Sequence, residues 1–210
     1  MTQEILRPTP VARAIERLDK FLVLVLEKGK NEGFIPTCRR GCSACCSEPV
    51  YVERREAEHV IEAMKKLPQE EQDAILDRLR AWLEKIRGQD ILKQRQPDVI
   101  EYRKLRLPCP LLNQKNGDCL VYANRPMGCR LHFAIGPREN CDDDEKRRDQ
   151  TYMYVQDPML GPILELLDGK PGDILMEHLG LHLAEILLGE KVESESRSLF
   201  RITDRKGSRQ

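Results

Sequence analysis

The sequence has few aromatic residues and no surplus of either charge. Aromatic side chains make up 5% of its 210 residues, whereas hydrophobic residues as a whole make up 40%, which indicates an aliphatic, helix-rich interior. Lysine plus arginine and aspartate plus glutamate both number 35, so the formal net charge is zero. That balance argues against a protein that binds nucleic acids or other polyanions through a broad positive field.

Long apolar runs are also missing. The one dense run covers residues 21–26, follows Asp19 and Lys20, and has no small-residue cleavage site after it. Since a membrane span needs ~20 apolar residues, we expect neither an export signal nor a membrane segment, and therefore a cytoplasmic protein. Cytoplasmic thiols stay reduced. The eight cysteines are thus expected to be metal ligands rather than members of four disulfides.

The sequence shows no internal repeat and no alternation of strands with helices, and we predict a mainly α fold. Apolar residues at helical spacing predict helices over 10–29, 53–67, 68–87, 158–167 and 172–188. Residues 92–107 are rich in charged side chains, and their pattern does not decide their secondary structure. One interpretation is a helix that restarts after Pro97. A helical domain over 1–189, with its cysteine-rich core at 38–141, is followed by a predicted flexible tail over 190–210.

The eight cysteines fall into two sets of four. The first set is Cys38, Cys42, Cys45 and Cys46, and the second is Cys109, Cys119, Cys129 and Cys141. Four thiolates suffice for a tetrahedral zinc or for one cubane iron–sulfur cluster. Because adjacent side chains diverge in extended and in helical chain, one of Cys45 and Cys46 is expected to close the local site and the other to reach the second set. The pattern predicts a bipartite, eight-thiolate centre or two neighbouring sites.

The second set surrounds a predicted β-hairpin. Short apolar runs flank Asn116 and Gly117, a dipeptide that favours a tight hairpin turn, with Cys109 and Cys119 on either side. The fold is therefore a helical domain with an inserted cysteine-rich loop and a small hairpin that together form the metal centre.

Zinc and iron–sulfur both remain open as the cofactor. The first set contains no histidine, and both metals accept an all-sulfur shell. Eight thiolates around two divalent ions would leave about four excess negative charges, which nearby donors must offset. The candidates for that role, if they are not plain surface residues, are Arg39, Arg40, Arg125 and Arg130.

Three of the histidines merit comparison with the thiols. His132, three residues after Cys129, is a spare ligand or a hydrogen-bonding neighbour. His178 and His182 share a helix face near Glu185, but a third ligand at convincing spacing is missing. We therefore expect a partly exposed helix edge there rather than a metal site.

Two segments resemble a known family. The stretch "CRRGCSACC" and the later stretch "CPLLNQKNGDCLVYANRPMGCR" are similar to the CxxCxxCC cysteine-cluster family, which is described as chelating zinc or iron. The resemblance runs from about Cys38 to Cys141, half of the chain, and departs from the family pattern in the three residues that separate Cys38 from Cys42. The family includes flagellin lysine N-methylase-like proteins, so the resemblance also implies an enzyme as an alternative.

Three functions stay open from the sequence. The first is a metal-binding protein whose centre organises the fold or holds metal for delivery. The second is an iron–sulfur protein that acts in methyl or electron transfer; the spacing Cys38-x3-Cys42-x2-Cys45 also occurs in radical enzymes, but those need a large βα barrel, which this sequence does not predict. The third is a zinc-stabilised module that binds another protein.

Overall fold

The computed structural model describes residues 9–34, 36–94, 98–148, 151–153, 173–194 and 197–201, and these are mainly helical, as predicted. The helices are α1 (Pro10–Asn31), α2 (Arg54–Met64), α3 (Gln69–Ile86), α4 (Val99–Lys104), α5 (Met127–Leu131), α6 (Asp144–Arg148) and α7 (Leu179–Leu188). The strands are β1 (Tyr51–Val52), β2 (Phe133–Ile135), β3 (Thr151–Met153), β4 (Asp173–His178) and β5 (Arg197–Arg201). Over the described ranges, no helix combines the length and apolar character that crossing a membrane requires.

The first three helices were predicted, and the first two begin at side-chain caps. Thr9 accepts a hydrogen bond from the backbone of Ala12 at the start of α1, and Glu53 and Glu56 form a reciprocal capping box at the start of α2. Pro68 was expected in the first turn of the third helix. Its ψ of 146° makes it instead the extended residue before that helix, so α3 begins at Gln69.

The main core lies where α7 packs against α2 and α3. Aliphatic side chains with no exposed surface fill it: Val60, Ile75, Leu79, Ile86 and Leu183. The backbone of α7 comes so close to α3 that a Cβ added at Gly180 would lie 2.7 Å from the Trp82 ring. A smaller core joins the apolar face of α1 to Met127 of α5.

Two small antiparallel sheets complete the fold. In the three-stranded sheet β4 lies between β1 and β5, with Tyr51 opposite His178 and Asp173 opposite Arg201. In the two-stranded sheet β2 pairs with β3. The first sheet carries the chain directly into α7, where Leu179 donates a backbone hydrogen bond to Val50.

The C-terminal third corrects one predicted helix. The helix predicted over 172–188 is wrong in its first part, because residues 173–178 form β4. Their backbone groups are paired with β1 and β5, partners distant in sequence that a local apolar pattern cannot reveal. The segment from 190 onward, for which a flexible tail stays a prediction, contains β5, and Ser194 donates a hydrogen bond to the Leu92 carbonyl. The helix predicted over 158–167 lies outside the described residues.

The predicted hairpin is reduced to a turn and one bridge. Gly117 has the positive φ of 76° that the turn needs, and Leu112 bridges to Cys119. The ladder stops there, because the N–H of Cys109 donates to the carbonyl of Cys46 instead of across the hairpin. Before this loop, Asp98 caps α4, so a helix does restart after Pro97.

Candidate metal centre

The cysteines lie on short, irregular segments rather than on the long helices. Cys45 and Cys46 belong to a 3-10 turn, Ala44–Ser47, and Cys129 belongs to α5. Cys141 ends another 3-10 turn, Arg138–Cys141. None of the eight forms a disulfide bond.

Backbone hydrogen bonds bring the two sets together. The N–H of Cys109 donates to the carbonyl of Cys46 at 2.7 Å, so the chain from the first set to the second returns to its starting point through α2, α3 and α4. The N–H of Ala134, just beyond Cys129, donates to the Cys38 sulfur at 3.3 Å. Sets that are 63 residues apart in sequence are therefore neighbours in space.

The charge interactions among the thiols divide them differently from their order in the sequence. The pKa of Cys38 is raised, mainly by burial and further by Cys45 and Cys42. The pKa of Cys141 is raised by burial first, then by Cys38 and Cys42. Cys141, the last cysteine of the chain, thus lies with the first set.

The other group forms around Cys129. Burial raises its pKa to about 12, with Cys45 and Cys119 adding to the effect. Burial likewise raises the pKa of Cys109, which Cys119, Cys129 and Cys45 raise further. Cys45 is the thiol that interacts with both groups, which places it between them.

Two cavities border the cysteines, and their linings overlap rather than divide the thiols into two groups. One of about 180 Å³ is lined by Cys42, Cys45, Cys46, Cys109, Cys119 and Cys129. The other, of about 320 Å³, is lined by Cys38, Cys42, Cys45 and Cys129. Cys42, Cys45 and Cys129 border both spaces, so thiols of the first and second sets line the same cavities.

The sulfurs stand farther apart than one zinc requires. Among the described residues, which include every cysteine, no three sulfurs lie within 4.8 Å of one another. A tetrahedral zinc with Zn–S distances of ~2.3 Å holds its sulfurs ~3.8 Å apart. A cubane cluster binds each thiolate to a different iron and so accepts a wider set. The donor chemistry fits either group.

Of the arginines expected to offset the negative charge of the thiolates, Arg125 does act on several of the cysteines. Arg125 lies 3.8 Å from the centroid of the Tyr122 ring, and its charge opposes the rise in the pKa of Cys38, Cys119 and Cys129. Arg40 and Arg39 are exposed. The ring of Tyr122 packs beneath Arg125 and so holds that guanidinium beside the cysteines.

Two further arginines were missed in the sequence. Arg103, on α4, donates to the carbonyls of Ala44 and Cys141 at 2.9 and 3.1 Å and to Asp144 at 2.6 Å; its side chain is 9% exposed. Arg138 hydrogen-bonds to Cys42, which is the main reason that its pKa is raised. Both are charged residues in charged stretches, and only the fold distinguishes them from surface residues.

Helix α5, which carries Cys129, is fixed by buried charges. Arg130 is not a surface residue: it donates to Asp19 of α1 at 2.6 Å and to the carbonyl of Arg125 at 2.8 Å. Glu56 accepts from the backbone N–H of Met127 at 2.8 Å, and burial raises its pKa to about 7. The pattern Glu53-x-x-Glu56 could predict the cap on α2, but not this second contact.

His132 borders both cavities, as a spare ligand would. Burial lowers its pKa, so the ring is neutral and able to bind a metal. His178 and His182 differ from the prediction, because both are buried rather than at an exposed edge. His178 precedes α7 and caps it, so the two do not share a helix face.

A buried hydrogen-bond network reaches the smaller cavity through Tyr102. The N–H of Gly180 donates to Nδ1 of His178, and because burial lowers the pKa of this histidine to about 3, its one proton is on Nε2. Nε2 then donates to the Tyr102 oxygen at 3.0 Å, and Trp82 Nε1 donates to the same oxygen at 3.1 Å. With two donors on the oxygen, the hydroxyl hydrogen of Tyr102 is available to an acceptor in the cavity, which Tyr102 lines.

Cysteine-lined cavities inside a helical scaffold are typical of a metal-chelating protein. The family model CxxCxxCC, described as "Putative zinc- or iron-chelating domain", matches residues 37–153, more than half of the chain, and the protein belongs to this family. The resemblance seen in the sequence is thereby confirmed. No curated protein and no solved structure matches the chain.

Proposed function

We propose that the protein binds metal through all eight cysteines, in one assembly of two adjoining parts. The first part consists of Cys38, Cys42, Cys45 and Cys141, and the second of Cys46, Cys109, Cys119 and Cys129. The observation that carries the proposal is that Cys42, Cys45 and Cys129 border both cavities. Adjacent Cys45 and Cys46 then serve different parts, as their diverging side chains require.

The spacing of the sulfurs favours iron–sulfur clusters over zinc. The absence of any three cysteine sulfurs within 4.8 Å of one another, in the part of the chain described, supports thiolates that bind different iron atoms of a cluster. Such clusters supply one-electron transfer when bound. The residues that stabilise the thiolates are Arg125, Arg138 and Arg103, through their charges and hydrogen bonds.

The smaller cavity favours an enzyme as the second candidate. Besides cysteines it is lined by Trp82, Tyr102 and His178, and Tyr102 can donate a hydrogen bond into it. A mainly apolar space with a few polar groups, among them Tyr102 and Arg125, suits a small molecule beside a metal. This supports an iron–sulfur-dependent enzyme, of the methyl- or electron-transfer kind, over a module that uses zinc only to hold its shape.

Anaerobic purification followed by measurement of iron, zinc and acid-labile sulfide tests the proposal. We expect iron and sulfide in matching amounts, more than one atom of each per chain, with zinc well below one. Stoichiometric zinc without sulfide would exclude the clusters and keep the thiolate centre. A folded protein without either metal, from cells supplied with both, would contradict metal binding itself. The variant Ser47→Ala, changed within the same turn as Cys45, should match the parent in all three measurements.

A further inference from the structure

A histidine outside the cysteine centre has no hydrogen-bond partner in the part of the chain that the structure describes. His182 lies on α7, is 6% exposed, and within the described residues neither of its ring nitrogens, both shielded from solvent, is hydrogen-bonded. Buried polar groups in folded proteins nearly always have a partner. An unpartnered imidazole that is buried this far therefore calls for a ligand.

Two carboxylates face this ring. Glu177, in β4, has Oε2 at 3.8 Å from His182 Nδ1, which is too long for a hydrogen bond. Glu185 follows His182 by three residues on α7, so it lies on the same helix face. One ligand atom from each of the three residues lies within 4.8 Å of those of the other two.

The spacing suits a cation between the three groups. An ion at ~2.1 Å from each nitrogen and oxygen holds those atoms ~3.0–3.4 Å apart, so modest side-chain rotations would close the present gap. One imidazole with two carboxylates is a harder donor set than thiolates, and it favours Mn²⁺, Fe²⁺ or Zn²⁺ with open positions left for water.

Arg54, at the edge of the cluster, offsets part of the negative charge of the carboxylates. Arg54 donates to Glu185 at 3.2 Å and to Glu58 at 3.3 Å, and its side chain is 48% exposed. When a cation binds, Arg54 can therefore break its ion pair with Glu185 and retain the one with Glu58. Without a cation, Arg54 partly neutralises the cluster.

We propose that Glu177, His182 and Glu185 form a second metal site, which binds a divalent first-row cation independently of the cysteines. The sequence could not reveal it, because the helix predicted over 172–188 paired His182 with His178. The structure turns His178 towards Tyr102 and brings Glu177 to the ring in its place. The site does not depend on the identity of the metal in the cysteine centre.

Titration of the purified, metal-loaded protein with Mn²⁺ tests the site, since thiolates bind this ion poorly. Electron paramagnetic resonance of free Mn²⁺ should show one bound ion per chain. His182→Gln and Glu185→Gln should each weaken binding at least tenfold, with iron, zinc and sulfide contents unchanged. Arg54→Gln should strengthen it, because the competing cation is removed.

Glu58→Gln is the matched control: it removes a carboxylate that also pairs with Arg54 but lies outside the cluster, and it should retain the bound ion. Glu185 is partly exposed, so Glu185→Gln keeps the test valid if the buried His182→Gln fails to fold. The proposal is overturned if the parent binds no Mn²⁺, or if Glu185→Gln binds it as tightly as the parent does.

Discussion

The helical core and the cysteine-bearing segments are held together by different forces. In the core, α2, α3 and α7 meet through aliphatic side chains such as Val60, Ile75 and Leu183, which have no exposed surface. In the cysteine segments the structure is mostly turns, and the contacts that join them are made by Arg103 and Arg130 to backbone carbonyls and carboxylates.

The difference shows which part of the protein depends on its metal. Burial of apolar surface, at ~25 cal/mol per Å², stabilises the core without a ligand. The cysteine segments bury thiols whose pKa is raised, and thiols must lose their protons to bind metal. If the cysteines bind metal as proposed, these segments reach their full stability only when a metal holds the thiolates.

Removal of the metal should have the largest effect, and it should be confined to one region. A structural zinc in a peptide contributes ~10–16 kcal/mol of apparent binding energy, as much as the ~5–15 kcal/mol of a whole domain. With a chelator and reductant, backbone amides over 38–48 and 109–141 should lose their protection from hydrogen exchange, while those of α2, α3 and α7 keep theirs. Equal loss of protection in both regions, measured by mass spectrometry, would contradict the claim that only the cysteine segments depend on the metal.

Loss of Arg130 should have the next largest effect. Replacement by methionine keeps the volume but leaves the backbone carbonyl of Arg125 and the carboxylate of Asp19 without their donor. We expect Arg130→Met to lower the free energy of unfolding by about 1–3 kcal/mol for each backbone carbonyl that loses its donor, as measured by urea denaturation of the metal-loaded protein.

The exposed ion pair of Arg80 with Asp77 provides the control. Arg80→Met should change stability by less than about 0.5 kcal/mol. Similar values for the two variants would show that the buried arginine is not a structural member of the cysteine region.

The hydroxyl of Tyr102 connects the two regions, so its removal should have an intermediate effect. Tyr102→Phe leaves the buried N–H groups of Trp82 and His178 without an acceptor, at a cost of about 1–3 kcal/mol. Thermal unfolding measures the loss, and metal content should stay unchanged. Release of metal without loss of stability would instead place this hydroxyl in the cysteine centre.

The cap of α4 should give the smallest effect. Asp98 accepts hydrogen bonds from the N–H groups of Ile100 and Glu101 at 2.8 and 3.1 Å, so Asp98→Ala should cost about 0.5–2 kcal/mol. Asp90→Ala, at an exposed residue that pairs with Lys93, should cost less under the same urea denaturation. The reverse order would mean that α4 does not need its cap to hold Arg103 in place.

Local patterns predicted much of this structure, and contacts between distant segments account for what they missed. The apolar spacing in α1, α2 and α3 is sufficient to predict these helices, because each buries one continuous face. The leucines of residues 172–188 show the same spacing, yet β4 forms there because β1 and β5 pair with it. A periodic pattern cannot show which backbone groups will find such partners.

The candidate site shows the same limit. The clustering of cysteines and the adjacency of Cys45 and Cys46 predicted that the two sets lie close together. The backbone N–H of Cys109 does donate a hydrogen bond to the carbonyl of Cys46. The grouping of Cys141 with Cys38, and the role of Arg103, depend on how turns fold onto one another. No residue type or spacing in the sequence encodes those contacts.

Metal content in Cys42→Ser and Cys129→Ser, made separately, tests most directly the claim that the two sets form one assembly. Each variant and the Ser47→Ala control would be purified anaerobically, and total metal per chain would be measured together with thermal unfolding. Because both thiols border both cavities, each loss should remove more than half of the metal and lower the unfolding temperature. Full retention of metal with unaltered unfolding in Cys42→Ser, or loss of only half in each variant, would contradict a single assembly.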